Sequence, residues 1–402
     1  MQSRSCGRYS ETVTEKMPDM KLTKSEWLES CQVKSPRNRA LLDRCYDVLR
    51  QNTLQGEHMP WGSAPVISPW LGPNAGIWNW DTAFHAMTVL RFDTELAKSC
   101  IDCFMSFQKE NGLIPDVIRA NGNIEDNYGK PPVMAWAVQK VFEADGDREF
   151  LRRNYRKLVK QEQFLVNERS DRGLFFYSAE VHPEANDYLH PRWESGWDNS
   201  PRWDVAPITA LYPIDLNCFM VLFYRSMAKM AEFLGEDAAE WRRKEDVLTA
   251  KIESTLYDEN QKAYADRNRL NGEFSTVLSP ASFMPLFIGT ASKARAESME
   301  RLAKDSAKFY PGMPTCTYDC KGYDNNYWRG PTWLNVAFFA IKGLWDYGFD
   351  KTATEIKEYL LDMCYDGLPD IFENYDSVKR TGKCCRAFSW SAAFIIELIL
   401  QF

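Results

Sequence analysis

Eleven residues, Glu194-Ser195-Gly196-Trp197-Asp198-Asn199-Ser200-Pro201-Arg202-Trp203-Asp204, hold three carboxylates, two tryptophans and an arginine, with Gly196 and Pro201 interrupting regular structure. No core helix or strand requires such a segment. A carbohydrate site does: carboxylic acids to move protons, indoles to stack on sugar faces, Asn and Arg to bind hydroxyls. Asp198 is the candidate general acid. Apolar walls from Trp197 and Trp203 would raise its pKa, as proton donation near neutral pH requires. The alternative is a loop carboxylate that bonds backbone amides. Glu194 and Asp204 are weaker claimants, and either would serve as an acceptor for Arg202.

Hydrolysis of a glycoside needs a second carboxylate. Glu373, in Ile371-Phe372-Glu373-Asn374-Tyr375-Asp376, stands among apolar and aromatic residues, where an unpaired carboxylate is costly. It is the best candidate. Asp376 competes from a more polar stretch, and a structural pairing of Glu373 with Arg329 is the alternative. Arg329 sits in Asn325-Asn326-Tyr327-Trp328-Arg329-Gly330, just before a buried helix, and needs a partner: a catalytic carboxylate, a sugar hydroxyl or a structural salt bridge. Asp81 follows Trp78-Asn79-Trp80 and either binds a sugar hydroxyl pair or caps the helix that follows, with Trp78 or Trp80 as a stacking face. Lys130, before Pro131-Pro132, either points its ammonium at the same face or is solvated.

Competing chemistries find little support. The four histidines form no HExxH and no metal-spaced pair with Cys, and GxSxG, GxxxxGK[ST] and GxGxxG are absent. No metal or cofactor is expected. A net charge of −7 without a Lys/Arg run argues against a nucleic-acid partner. The 11 cysteines include Cys100-Ile101-Asp102-Cys103, but it lies in an amphipathic helical pattern and reads as buried or surface thiols. Free thiols in this number suit a reducing cytoplasm. The start has no apolar signal region, and no apolar run approaches the ~20 residues of a spanning helix. A cytoplasmic enzyme on a small-molecule carbohydrate, without a membrane partner, is the expectation; the oligomeric state stays open.

The elements that must position these residues are helices. Periodicity predicts them over 38–52, 81–91, 93–110, 131–144, 147–169, 213–234, 237–256, 279–289, 291–305, 331–348, 350–365 and 389–401. Residues 1–37 read as a polar N-terminal arm. Asp93, Pro131-Pro132, Ser279-Pro280 and Gly330-Pro331 mark helix starts, and Gly112, Gly235, Gly343 and Gly348 fall where helices could stop or bend. The odd-numbered members are charged and amphipathic; the even-numbered ones, such as Val336-Ala337-Phe338-Phe339-Ala340-Ile341, are apolar nearly all round and must be buried on every side. Six buried helices alternating with six half-exposed ones predict an all-α fold, a double-ring helical barrel over 38–402. Links from even to odd members are short. Links from odd to even, 53–80, 111–130, 170–212, 257–278, 306–330 and 366–388, are long and would emerge at one end, where function usually sits. Of the 14 tryptophans, Trp61, Trp70, Trp78, Trp80, Trp193, Trp197, Trp203, Trp328, Trp333 and Trp390 lie in those links or just after them.

Four ordered motifs, Trp78-Asn79-Trp80-Asp81, Glu194-Ser195-Gly196-Trp197-Asp198-Asn199-Ser200, Tyr327-Trp328-Arg329-Gly330-Pro331-Thr332-Trp333 and Phe372-Glu373-Asn374-Tyr375-Asp376, resemble glycoside hydrolase family 63, whose relatives include the trehalases of family 37. The resemblance runs from about residue 60 to the C-terminus. It implies an (α/α)6 barrel and an inverting α-glycosidase, with Asp198 as acid and Glu373 as base, their carboxyls roughly 6.5–9.5 Å apart. The expected sugar contacts are Trp78, Trp80, Asp81, Lys130, Trp197, Arg202, Tyr327, Trp328, Arg329, Trp333, Tyr375 and Trp390. One departure stands out: family members often carry Gln where this chain has Lys130, a cation suited to a substrate carboxylate such as that of a glycerate, or one that reshapes the sugar subsite. The size matches the compact members that act on glucosylglycerate or mannosylglycerate. A non-catalytic sugar-binding protein, a trehalase-type hydrolase, and a histidine-dependent epimerase or zinc prenyltransferase on a similar barrel are the other readings.

Overall fold

The computed structural model describes residues 20–177 and 190–402; residues 1–19 of the expected arm, with Cys6, and residues 178–189 of the third long link lie outside the described residues. The chain is helix-rich. Its helices are α1 (Lys24–Ser30), α2 (Pro36–Gln51), α3 (Asn79–Val89), α4 (Thr94–Met105), α5 (Met134–Asp145), α6 (Arg148–Glu168), α7 (His190–Trp193), α8 (Ile214–Leu234), α9 (Ala239–Thr255), α10 (Met284–Phe287), α11 (Lys293–Lys304), α12 (Leu334–Asp346), α13 (Asp350–Asp366) and α14 (Ser389–Leu400). Each segment expected from periodicity overlaps one of these. Only α1 and the single turn α7 are additions.

α1 lies inside the stretch read as an arm. A capping box starts it: Thr23 Oγ1 accepts from the Glu26 amide while the Glu26 carboxylate accepts from the Thr23 amide at 2.8 Å. Its Trp27 is buried against Tyr46 and Phe92. The eighth expected helix is broken. Pro280 to Phe283 wind as a 3-10 turn, and only Met284 to Phe287 are α-helical, because Pro285 supplies no amide to the turn before it. Gly235 ends α8 in the left-handed region at φ 78°, as expected. Gly343 neither stops nor bends α12: a Cβ there would meet the Phe287 amide nitrogen at 2.7 Å, so glycine lets α12 approach α10.

The apolar helices pack in sequence order. α3 rests on α5, α5 on α8, α8 on α10, α10 on α12, α12 on α14, and α14 on α3 again, so the contacts of this first set close on themselves. The amphipathic helices cover it: α4 lies on α3 and α5, α6 on α5 and α8, α9 on α8, α13 on α12 and α14, α11 on α13, and α2 on α14. Burial follows the sequence pattern. α14 is buried from Ser389 to Ile399, whereas α9 buries only Trp241, Leu248 and Ile252. In the middle, the ring of Phe339 on α12 meets one aromatic from each of the other five helices of the first set: Phe84, Trp136, Phe219, Phe287 and Phe394, at 4.8–6.4 Å. The centre is therefore a packed aromatic core and not a channel.

Strands occur as two- and three-stranded antiparallel ribbons. Two of them bear on the site. Gly76–Trp78 pairs with Val117–Arg119, and that strand with Ile124–Glu125, joining the first and second long links. Phe372–Asp376 pairs with Thr381–Arg386 in the sixth. No helix among the described residues is long and apolar enough to cross a membrane.

Candidate active site

The long links meet around a cavity of about 840 Å³. Residues of the first, second, third, fifth and sixth links, and of the helix entries that follow them, line it; both expected catalytic carboxylates, Asp198 and Glu373, are on its wall. Of the expected contacts, Trp78, Trp80, Asp81, Lys130, Tyr327, Trp328, Trp333 and Trp390 are also on the wall.

Asp198 owes its position to a tight turn. Gly196 takes φ 74°, and a Cβ on it would lie 2.3 Å from the Trp80 ring, so glycine is required both by the backbone and by the indole. Ser195 Oγ accepts from the Trp197 amide at 3.0 Å. The next residue ties the loop to the fifth link: Asn199 Oδ1 accepts from the Trp328 amide at 2.9 Å, and the Asn199 carbonyl accepts from Arg329 at 3.1 Å. Beneath, Arg202 is 1% exposed and donates two hydrogen bonds each to Asp215 and Asp266. Trp197 and Trp203 face its guanidinium at 4.8 and 4.7 Å.

Glu373 reaches the cavity from the sixth-link hairpin. The register slips between Phe372 and Asn374, and Cys384 opposite adopts φ 61°, which marks a bulge. Bulges re-aim side chains. Here the bulge turns the Cys385 amide toward Glu373 Oε2, to which it donates at 3.3 Å, while the Tyr327 hydroxyl donates to Oε1 at 3.4 Å. Glu373 is buried, and Cys385 is on the cavity wall beside it.

A second group of charges sits on the same wall. Asp81 is the third residue of α3, not its cap; Trp78 holds the cap position and makes no side-chain cap bond. Burial pushes the Asp81 carboxyl up to about 8, against the pull of the Lys130 ammonium and with the charges of Asp116 and Glu373 adding to the rise. Burial likewise pushes Asp116 up to about 6, with Lys130 opposing and the Asp198 charge adding. Lys130 Nζ lies 3.2 Å from Asp116 Oδ1 and also donates to the Trp193 carbonyl. Arg119, also on the wall, pairs with Glu125 at 3.2 Å.

The floor is aromatic. Trp328 stacks on Trp333 at 3.9 Å with planes 10° apart, and Trp390 stands edge-on to Trp80. Trp390 Nε1 is a buried donor that meets no protein acceptor among the described residues. Trp70 and Trp78, also on the wall, lie against each other 4.5 Å apart.

Four expected contacts are off the wall. Trp197 is buried behind Asp198, its ring 5.0 Å from that of Trp328. Arg202 is held by Asp215 and Asp266 and not by Glu194 or Asp204; Glu194 pairs with Arg169 and Asp204 with Arg329. Arg329 spans Asp204, Asp324 and the Asn199 carbonyl and does not meet Glu373. Tyr375 is fully buried; its backbone pairs both ways with Thr332 and its hydroxyl accepts from the Phe372 amide. In each case a neighbour distant in sequence claims the side chain. Asp116, Arg119 and Trp70 are wall residues that the sequence reading does not assign to the site. Their position in the long links is the available signal. Cys100 and Cys103, the formal CxxC, are buried on α4 with thiols pushed up to about 12 by burial.

Comparison with known proteins places this architecture. A model described as mannosylglycerate hydrolase MGH1-like glycoside hydrolase domain matches residues 74–391. The mannosylglycerate hydrolase of Rubrobacter radiotolerans is 24% identical, covering 81% of this chain and 90% of that protein. The structure of the family 63 mannosylglycerate hydrolase from Thermus thermophilus with Tris and D-glycerate superposes with a TM-score of 0.76 at 24% identity, covering 89% of this chain and 99% of that one. Neutral trehalase Nth1 from Saccharomyces cerevisiae is similar at TM-score 0.67 and 19% identity, covering 84% and 73%.

Proposed function

This chain belongs to the MGH1-like glycoside hydrolases of family 63, relatives of the trehalases, and from that premise we propose that it is an inverting hydrolase of a small α-glucoside or α-mannoside. Asp198 protonates the glycosidic oxygen. Glu373 takes a proton from a water that attacks the anomeric carbon from the other face, so the bond to the leaving oxygen breaks as the bond to water forms. The observation that carries this reading is the convergence of Asp198 and Glu373, from different links, on one tryptophan-floored cavity. Inversion needs the two carboxyls on opposite sides of the sugar with space for water between them, and carboxylates from separate links suit that demand.

The closing contacts of the first helix set support reading the scaffold as an (α/α)6 barrel over 38–402, with residues 1–37 as an appended arm. The aglycone we favour is glycerate or a group like it. Lys130 is the reader of its carboxylate expected from the sequence, but that ammonium is already engaged by Asp116 and the Trp193 carbonyl. Arg119, with Asn74 and Asn123 on the same wall, is the better-placed alternative. The thiol-rich composition supports a cytoplasmic setting.

The test is a hydrolysis screen of glucosylglycerate, mannosylglycerate, trehalose, kojibiose and nigerose, with Asp198→Asn and Glu373→Gln run beside the parent. Turnover of one of these glycosides, abolished in both variants with folding retained, is the expected result. Turnover retained in both variants would end the assignment.

A further inference from the structure

Asp116 and Lys130 have no part in the reaction as proposed, yet they line the same cavity wall as the acid and Asp81. Both side chains are buried, at 6% and 7% exposed. Asp116 is fixed by its backbone, whose amide donates to the Glu125 carbonyl and whose carbonyl accepts from the Asn79 amide, each at 2.9 Å. Lys130 is fixed at its far end by the Trp193 carbonyl, five residues before Asp198. The pair therefore cannot swing away from the acid loop without breaking the contacts that hold it. A surface ion pair would do little at such a place, because water would screen it; a buried one acts on its neighbours at nearly full strength.

We propose that Asp116 and Lys130 are a positioning pair that fixes the charge beside Asp198 and thereby the pH at which the acid gives up its proton. The inference rests on reading Asp198 as the acid. With both partners charged the pair is neutral as a whole, so removing Asp116 leaves a net positive charge beside the acid, and removing Lys130 takes a positive charge away from it. The electrostatic coupling is already visible from the other side, since the Asp198 charge is one of those that raise Asp116.

Other groups face the same space. From α3 comes Asp81, and from the sixth-link hairpin come Glu373 and Cys385. The fifth link adds Tyr327, and the second adds Arg119 with its partner Glu125. Tyr128, buried behind the wall, feels Asp116 and Asp198 as well and is held protonated by burial. Asp81 is coupled to both partners and titrates in the same range, so the variants are also made in an Asp81→Asn background, where a movement of the acid's titration reports the pair.

The experiment is the pH profile of kcat/KM for the glycoside that the parent hydrolyses, whose alkaline limb reports the acid in the unliganded enzyme. Asp116→Asn leaves Lys130 as an uncompensated positive neighbour and moves that limb to lower pH by about one unit. Lys130→Gln removes the cation that opposes the rise of Asp116, so the limb moves to higher pH only where Asp116 is ionised. Asp116→Asn, which leaves a permanent charge, is the deciding variant. The double variant, neutral and of similar size, returns the limb to its parental position. Side chains with a merely structural role would lower kcat in all three and leave the limb where it was; that result overturns the inference. If Asp116→Asn fails to fold, Asp116→Ser, which makes the same change of charge, decides by the same displacement, and a limb left at the parental position overturns the inference. A parent that hydrolyses none of the α-glycosides overturns the reading of Asp198 and this inference together, whereas turnover with static limbs overturns only the inference.

Discussion

Arg202 and Lys130 are both buried cations held by aspartates, and they are built on opposite principles. Arg202 uses its planar fork to make paired hydrogen bonds to Asp215 and to Asp266, with an indole on either face, so its charge is matched and its donors are used. Lys130 faces one aspartate at a charge contact and one carbonyl, while Asp116 and Asp81 stay raised toward their protonated forms. The first cluster is satisfied and lies behind the Asp198 loop as an anchor. The second is under-satisfied and lies on the cavity wall. Buried charge with its hydrogen bonds complete holds a loop still; buried charge left incomplete shifts protonation, and catalysis needs the latter.

Changes on the wall should cost activity and spare the fold, and changes in the anchor should do the reverse. The largest effect falls on the wall carboxylates: Asp198→Asn and Glu373→Gln should each lower kcat by on the order of 10⁴-fold. Their melting temperatures should stay close to the parent's, as read by circular dichroism. Next comes the anchor. Arg202→Met leaves Asp215 and Asp266 buried without a cation and should cost about 3–5 kcal/mol in denaturant unfolding. A near-parental unfolding midpoint for that variant would erase the contrast between the clusters. Gly196→Ala sits at the boundary, since its methyl must displace Trp80 and the residue must keep φ 74°. It should lose about 1–3 kcal/mol of stability together with activity, because the displaced indole is part of the cavity wall.

The last expected effect is a tilt with pH. The Asp81 carboxyl titrates at about 8 in the folded chain against 3.8 in the unfolded one, so between those values the folded state holds the extra proton. The stability this confers is complete below about pH 4 and is lost as the pH rises toward 8. Asn mimics the protonated acid and removes that loss. The melting temperature of Asp81→Asn relative to the parent should therefore climb between pH 4 and pH 8; a constant difference across that range would show that Asp81 is charged like an ordinary surface aspartate.

Much of this arrangement is legible from local pattern. Helical periodicity and the split between apolar and amphipathic segments depend on residues within one element, and α14 and α9 are buried as their sequences predict. The cavity carboxylates are legible because a charge among aromatics in a long link has few other uses. What escapes is pairing at a distance. Arg202 stands two residues from Asp204, yet its partners are Asp215 and Asp266, which the fold brings to it. Arg329 answers to Asp204 across 125 positions. Asp116 and Glu125 look alike in the sequence; only the ribbon that carries them buries one and leaves the other half-exposed. The break of α10 is written in Pro280 and Pro285, and the start of α1 in the Thr23–Glu26 box, so both are local signals that periodicity alone overlooks.

The central claim is that Asp198 and Glu373 act on opposite faces of one sugar, and the anomeric form of the first-released product tests it most directly. Proton NMR during the earliest turnover of an α-glycoside should show the β-anomer appearing first, with the α-anomer growing in only as mutarotation proceeds. First appearance of the α-anomer would mean retention, and would contradict the assignment of Glu373 as a base that activates water.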